Sequence, residues 1–212
     1  MTLRLHEIFY SLQGESSRVG LPTVFVRLTG CPMRCVYCDT AYAFNGGQTT
    51  PISEIMERVA SYGARYVTVT GGEPLAQKNC LVLLKQLCDA GYEVSLETGG
   101  AMDTSEVDAR VAVILDVKTP GSGEMEKNLW GNLDNLKPAD EVKFVLCNRA
   151  DYDWAKNILS EHAINRKCSV LFSPVYQDVN PTDLAEWILQ DKLPVRMQMQ
   201  LHKILWGEVA GK

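Results

Sequence analysis

The sequence predicts an α/β fold with largely parallel strand pairing, and three observations carry that prediction. Apolar runs of five to seven residues, rich in β-branched side chains, recur along the chain. Most are separated by segments of helical periodicity, the alternation that builds a parallel sheet. Nearly every run ends in glycine, proline or polar residues, as expected where strands open onto a ligand-binding face. About six core strands plus an N-terminal one can be counted. That is too few for a complete eight-fold barrel of about 250 residues. A partial barrel or an open twisted sheet would both fit.

The first ten residues alternate apolar and polar (Leu3, Leu5, Glu7, Phe9) and predict an edge strand. Ser11 to Glu15 break the pattern, and Gly20-Leu21-Pro22 turn the chain into an apolar strand, Val24 to Leu28. After Asn45-Gly46-Gly47 a helix is expected, with Thr50 as N-cap, Pro51 at N1, and Ile52, Ile55, Met56 and Val59 on its apolar face. Tyr66 to Thr70 is a strand ending in Gly71-Gly72-Glu73-Pro74, and residues 79–89 are helical up to Gly91. Tyr92 to Leu96 is the next strand, with Glu97-Thr98-Gly99-Gly100 as its terminal loop. A short polar helix over 104–109 precedes the strand Val111 to Val117, and residues 122–139 carry no clear pattern. Glu141 to Cys147 is a strand, 151–161 a helix, and Ser169 to Phe172 a strand. Asn180, Pro181 and Asp183 make a helix-start signal at N-cap, N1 and N3. Val195 to Leu201 alternates like a last strand. No linker or shift in composition divides residues 1–212, so one domain is expected.

The bulk properties are ordinary: 46% hydrophobic, 22% charged, and a net charge of -5 from 21 basic and 26 acidic side chains. That balance argues against a general nucleic-acid binder. No signal peptide and no run long enough to span a membrane is visible, so neither secretion nor a membrane partner is expected. Seven cysteines, an odd number with three clustered, suit a reducing cytoplasm better than a disulfide scaffold.

Cys31, Cys35 and Cys38 lie within eight residues just after a strand. A fourth nearby cysteine would suggest tetrahedral zinc or a fully ligated cluster. Without one, three thiolates fit an iron–sulfur cluster whose last iron stays open to a small molecule. Spacing alone leaves open a zinc loop with a distant ligand, or three unbonded thiols. Cys80, Cys88, Cys147 and Cys168 read as core or boundary residues, and His6 and His162 as uninvolved.

In a parallel α/β fold the strand ends meet on one face. The cysteines, Gly71-Gly72-Glu73, Glu97-Thr98, Lys118-Thr119, Ser173-Pro174 and the Gln198, Gln200, His202 segment should therefore share a cleft. A purely structural zinc loop would have no reason to do so. Gly71-Gly72 permits close backbone approach to a ligand. Glu73 could cap or bind, and is read as binding.

Two of these motifs resemble a known superfamily. The C-x3-C-x2-C loop of Cys31, Cys35 and Cys38, with Gly71-Gly72-Glu73-Pro74, is similar to the cluster loop and methionine-binding segment of radical S-adenosylmethionine enzymes. A closer likeness covers nearly the whole chain. Glu7 to Glu15, Phe25 to Cys31, Cys38-Asp39-Thr40, Glu97-Thr98 and Met199-Gln200-Leu201-His202-Lys203 resemble the 7-carboxy-7-deazaguanine synthase family.

The resemblance implies a shortened partial (β/α) barrel with an extra N-terminal strand. It implies a homodimeric carbon–nitrogen lyase of queuosine and 7-cyano-7-deazaguanine biosynthesis, reduced by a donor such as flavodoxin. A [4Fe–4S] cluster on Cys31, Cys35 and Cys38 would bind S-adenosylmethionine, used catalytically, and Mg²⁺ would take the Thr40 hydroxyl. The reaction would be radical ring contraction of 6-carboxy-5,6,7,8-tetrahydropterin to 7-carboxy-7-deazaguanine with loss of ammonia. Leu12, Gln13, Gly14, Glu15, Thr70, Gln200 and His202 resemble substrate contacts, and Arg27 the clamp on the substrate carboxylate. Tyr37, Cys38, Asp39, Gly72, Glu73, Glu97, Thr98, Lys118 and Ser173 resemble S-adenosylmethionine contacts. Two departures stand out. Many members carry Ser-Pro-Lys where this chain has Asp116-Val117-Lys118, and a threonine where it has Leu201. The rival readings are the activating subunit of a glycyl-radical enzyme, acting on a partner protein, and a non-catalytic zinc module.

Overall fold

The computed structural model describes residues 1–207 and 209–211. The described strands are β1 (Thr2–Leu12), β2 (Pro22–Leu28), β3 (Gln48–Pro51), β4 (Tyr66–Gly71), β5 (Glu93–Thr98), β6 (Ala112–Asp116), β7 (Glu141–Leu146), β8 (Ser169–Pro174) and β9 (Arg196–Met197). They form a single sheet in the order β3-β1-β2-β4-β5-β6-β7-β8-β9, with β3 and β9 at its edges. From β2 to β9 every pairing is parallel, while β1 runs antiparallel to both β2 and β3. The helices are α1 (Ile52–Ala60), α2 (Cys80–Asp89), α3 (Arg149–Glu161), α4 (Pro181–Asp191) and α5 (Leu201–Trp206).

Strand order explains why one face of this sheet is free. Consecutive parallel strands follow each other in one direction, so crossovers of one hand place their helices on one side. On that side Val24, Val26, Val67, Val69, Val94 and Leu96 pack with Ile52, Ile55 and Val59 of α1 and Leu83, Leu84 and Leu87 of α2. Further along, Val113, Leu115, Val142 and Phe144 pack with Tyr152, Ala155 and Leu159 of α3 and Leu184 of α4. Each fully buried Leu, Ile or Val contributes about 1.5–3 kcal/mol. The alternate residues, among them Phe25, Arg27, Thr70, Glu97, Ile114, Asp116, Lys143 and Val145, line a cavity on the other face. Period-two alternation thus separates an apolar helix-facing layer from a polar interior.

Several expectations need correction. Thr50 is not a helix cap but a strand residue opposite Leu3, and Pro51 takes the N-cap of α1. Gln48–Pro51 satisfies the free edge of β1, which a helix begun at Thr50 would have left unpaired. Residues 104–109 form turns rather than a helix. Thr104 donates from N and Oγ1 to Asn132 Oδ1, and Ser105 N and Oγ donate to the Asp103 carboxylate. Such local bonds compete with helix formation. Glu97 and Thr98 belong to β5 itself. The last strand shrinks to Arg196–Met197, and Leu201 begins α5 instead. There the backbone finds another partner, since Leu201 N donates to Gly14 O at 2.9 Å. The unassigned stretch holds 3₁₀ turns at Met125–Lys127 and Trp130–Asp134. Asn180 caps α4 as expected, accepting from Thr182 N at 2.9 Å. Among the described residues no helix is long and apolar enough to cross a membrane.

Candidate active site

A cavity of about 740 Å³ occupies the free face of the sheet, with the cysteine loop on its wall. Cys31, Cys35 and Cys38 are free, half-buried thiols that all line it. Burial pushes the Cys31 and Cys35 thiols up, so metal binding there must displace protons. Among the described residues no His, Cys, Asp and Glu trio is already closed into a metal-holding group.

The cysteine loop is held from outside by the 122–127 segment, for which the sequence offered no pattern. Val36 N donates to Ser122 O at 3.1 Å. Arg34 N donates to Glu124 Oε1 at 2.7 Å, and Lys127 Nζ donates to Pro32 O at 2.6 Å. Glu124 and Lys127 pair with each other at 2.8 Å, so one ion pair grips the loop at two backbone points. Arg34 lies over the Phe44 ring, 4.3 Å from its centroid. On the inner side Gly72 permits close approach, because a Cβ there would meet Gly30 O at 2.2 Å and Cys31 Cβ at 2.9 Å.

The predicted substrate residues gather around the same cavity. Leu12, Gln13, Gly14, Glu15, Arg27, Thr70, Gln200 and His202 all line the cavity. Gln13 is buried and donates to Thr68 Oγ1 and Glu97 Oε1, both at 3.2 Å. Thr70 Oγ1 donates to Glu97 Oε2 at 2.9 Å. Glu97, expected beside the cofactor, is therefore bound to the two residues expected beside the substrate. Burial pushes its carboxyl up against the opposing field of Lys143. Arg27 Nε donates to Glu7 Oε1 at 2.8 Å, and Tyr42 donates to the same oxygen at 3.1 Å. The guanidinium stands 5.5 Å from the Phe9 ring centroid and 5.8 Å from that of Tyr42. Glu7 and the two rings hold Arg27 from behind and beside.

A line of alternating charges crosses this lining. Lys143 Nζ is 2.5 Å from Glu15 Oε2 and 3.4 Å from Asp116 Oδ2, and Lys118 Nζ is 3.1 Å from Asp116 Oδ1. Burial would raise the Glu15 carboxyl, but Lys143 reverses this and holds it below its ordinary value. Asp116 is likewise lowered against burial by Lys118 and Lys143. Lys118 stands 5.7 Å from the centroid of the Tyr37 ring. The Tyr37 hydroxyl is buried with no hydrogen-bond partner among the described residues, and burial raises its pKa. Beyond it Thr40 Oγ1 donates to Asp39 Oδ1 at 2.8 Å, and Lys203 pairs with Asp39 Oδ2 at 3.1 Å.

Two predicted contacts do not reach the cavity wall. Glu73 is fully buried and acts as a cap: it accepts from Leu75 N, Gly99 N and Thr98 Oγ1. With its oxygens occupied it ties the Gly71-Gly72 loop to the end of β5. Ser173 is buried within β8, and Val175, Tyr176 and Asp178 of the following loop line the wall instead. Sequence reading missed Lys143, Asp116, Glu7 and Tyr42. Lys143 did carry a signal, since a lysine inside an otherwise apolar parallel strand is anomalous.

The radical SAM superfamily model matches residues 25–121. A 7-carboxy-7-deazaguanine synthase of Chlorobaculum tepidum is 50% identical over 208 residues, spanning 97% of this chain and 94% of that protein. The chain belongs to the 7-carboxy-7-deazaguanine synthase family. The family's Koribacter versatilis protein is 42% identical over 219 residues, covering 96% of this chain and 97% of its own. The crystal structure of QueE from Escherichia coli superposes with a TM-score of 0.79 at 23% identity, over 95% of each chain. That likeness concerns the fold, an α/β fold of the radical S-adenosylmethionine type. As a member of the 7-carboxy-7-deazaguanine synthase family the chain is a radical S-adenosylmethionine enzyme, a class that uses S-adenosylmethionine and an iron–sulfur group. The residues fit such groups. Three thiols face one cavity, the Gly72 cradle keeps side chains away from Cys31, and Lys118 supplies a cation on the same wall.

Proposed function

We propose that this chain contracts the ring of 6-carboxy-5,6,7,8-tetrahydropterin to give 7-carboxy-7-deazaguanine with loss of ammonia, in queuosine biosynthesis. The observation that carries the reading is the lining of one cavity, where three thiols share the wall with Arg27 and Glu15 set among Gln13, Thr70, Gln200 and His202. A small, polar, carboxylated heterocycle suits those groups, whereas a peptide glycine would need no buried guanidinium. Cys31, Cys35 and Cys38 would hold a [4Fe–4S] cluster, with Tyr37, Cys38, Asp39, Gly72, Thr98 and Lys118 around S-adenosylmethionine. Together these groups would supply the radical that takes hydrogen from the substrate. The protein's part is to bind, orient and keep water out. Arg27, backed by Glu7 through Nε, would offer its terminal nitrogens to the substrate carboxylate. Gln13, Glu97 and Thr70 form one hydrogen-bonded unit that would face the pterin ring. Thr40 and Asp39 present hard oxygens that would suit Mg²⁺ beside the substrate. The same reading takes residues 1–212 as one domain, supported by the continuous sheet. It also includes a cytoplasmic homodimer served by a flavodoxin-like donor.

The test is anaerobic reconstitution followed by an assay of 7-carboxy-7-deazaguanine formation. About four irons and four sulfides per chain are expected, lost with activity in Cys31→Ala, Cys35→Ala and Cys38→Ala but kept in Cys80→Ala. Zinc in a colourless protein, or turnover of a partner's glycine in place of the pterin, would overturn the reading.

A further inference from the structure

Lys143 is the third residue of β7, and its partner in register on β6 is Asp116. Parallel register puts both side chains on the cavity face, where the 2.5 Å contact with Glu15 and the 3.4 Å contact with Asp116 are made by one ammonium. Gln200 Nε2 donates to Glu15 Oε1 at 2.7 Å, and Lys118 Nζ lies 3.1 Å from Asp116 Oδ1, an ion-pair contact to an oxygen that has no hydrogen-bond partner among the described residues. The Lys143 side chain is only 12% exposed. A buried ammonium has three donors and no acceptor, so its two carboxylate partners are fixed relative to each other. Glu15 belongs to the Gln13–His202 group of lining residues and Asp116 to the Lys118–Tyr37 group. No other described side chain bridges the two groups by ion pairs to both.

We propose that Lys143 is a positioning residue that sets both halves of the cavity at once, orienting Glu15 for the pterin and neutralising Asp116 beside S-adenosylmethionine. The identity of the two ligands rests on the function proposed above. Without Lys143, Asp116 keeps a single counter-ion and Glu15 is left with a neutral amide. Both ligand sites should then suffer, each for its own carboxylate.

The experiment measures S-adenosylmethionine and 6-carboxytetrahydropterin binding separately, by calorimetry on anaerobically reconstituted protein. Lys143→Met should weaken both by roughly thirtyfold or more, the loss expected when one partner of a buried charge pair is removed. Adding Asp116→Asn to Lys143→Met removes the aspartate that has lost one of its two cations and leaves Lys118 to balance Glu15, so it should restore S-adenosylmethionine binding toward the parent value while pterin binding stays weak. That one-sided rescue is not expected of a residue that merely supports folding. Should Lys143→Met fail to fold, the double variant carries the test, because its remaining buried pair of charges, Glu15 and Lys118, sums to zero. Equal loss of both ligands in the double variant, or loss of neither, would overturn the proposal. If the parent itself does not bind the pterin, the functional reading fails, and the S-adenosylmethionine arm still decides the place of Lys143.

Discussion

His202 occupies the space that a side chain on Gly14 would need: a Cβ at position 14 would fall 2.0 Å from His202 Nδ1 and 2.9 Å from its Cγ. Residues near opposite ends of the chain are thereby locked together, and Leu201 N adds a 2.9 Å hydrogen bond to Gly14 O. Burial holds the His202 imidazole below its ordinary pKa despite the nearby Glu15 and Asp39 charges, which favours the neutral ring.

Gly14→Ala should therefore displace α5 rather than merely strain the loop. The overpacking cost is about 1–3 kcal/mol. Pterin KM is expected to rise with the displacement of His202. An unchanged KM would mean that His202 can move aside freely and has no part in binding.

Arg27 offers a sharper test of the substrate contacts. Its side chain is 14% exposed and braced by Glu7. Removing such a partner of a substrate carboxylate costs about 2–5 kcal/mol, roughly two orders of magnitude or more in kcat/KM. Arg27→Ala should show that loss. Arg27→Lys keeps the charge without the fork, and should fall between the two. Near-parent turnover of the pterin by Arg27→Ala would remove the carboxylate clamp.

The ion pair that grips the cysteine loop predicts a change in metal retention. Glu124→Ala frees the Arg34 amide and leaves Lys127 unpaired. Because the pair is partly exposed, the effect should be modest: roughly a twofold to fivefold faster release of iron to a chelator. Glu126→Ala, on an exposed neighbour, should leave the release rate unchanged. Equal rates in the two variants would show that the loop holds itself.

Glu97 predicts a pH dependence whose sign is fixed by burial. Its folded pKa lies above the ordinary 4.5, chiefly through burial. The stability contributed by its neutral form is full below that ordinary value and is lost as the pH rises through the folded one. Glu97→Gln has no such ionisation, and its amide can still meet Gln13 and Thr70. The melting temperature of Glu97→Gln minus that of the parent should grow as the pH rises from about 4.5 through the folded pKa. A difference that shrinks over that range would contradict the assignment.

The chain's order of elements and the cysteine loop were legible in the sequence because both are local. Apolar alternation fixed the six core strands from β2 to β8, leaving aside the edge strand β3, and C-x3-C-x2-C spacing placed the thiols after the first of them. The Asn180 cap was visible for the same reason. Other features depended on what came near from far along the chain. Glu73 reads as a ligand until Gly99 and Thr98 supply its donors. Val195 to Leu201 reads as a strand until Gly14 offers Leu201 a better backbone partner. Lys143 reads as one residue of a strand until parallel register sets it beside Asp116, and the 13–15 loop brings Glu15 within 2.5 Å. Periodicity states which face a side chain takes. The charges waiting on that face are set by strand order and register, which bring together residues 185 positions apart, as with Glu15 and Gln200.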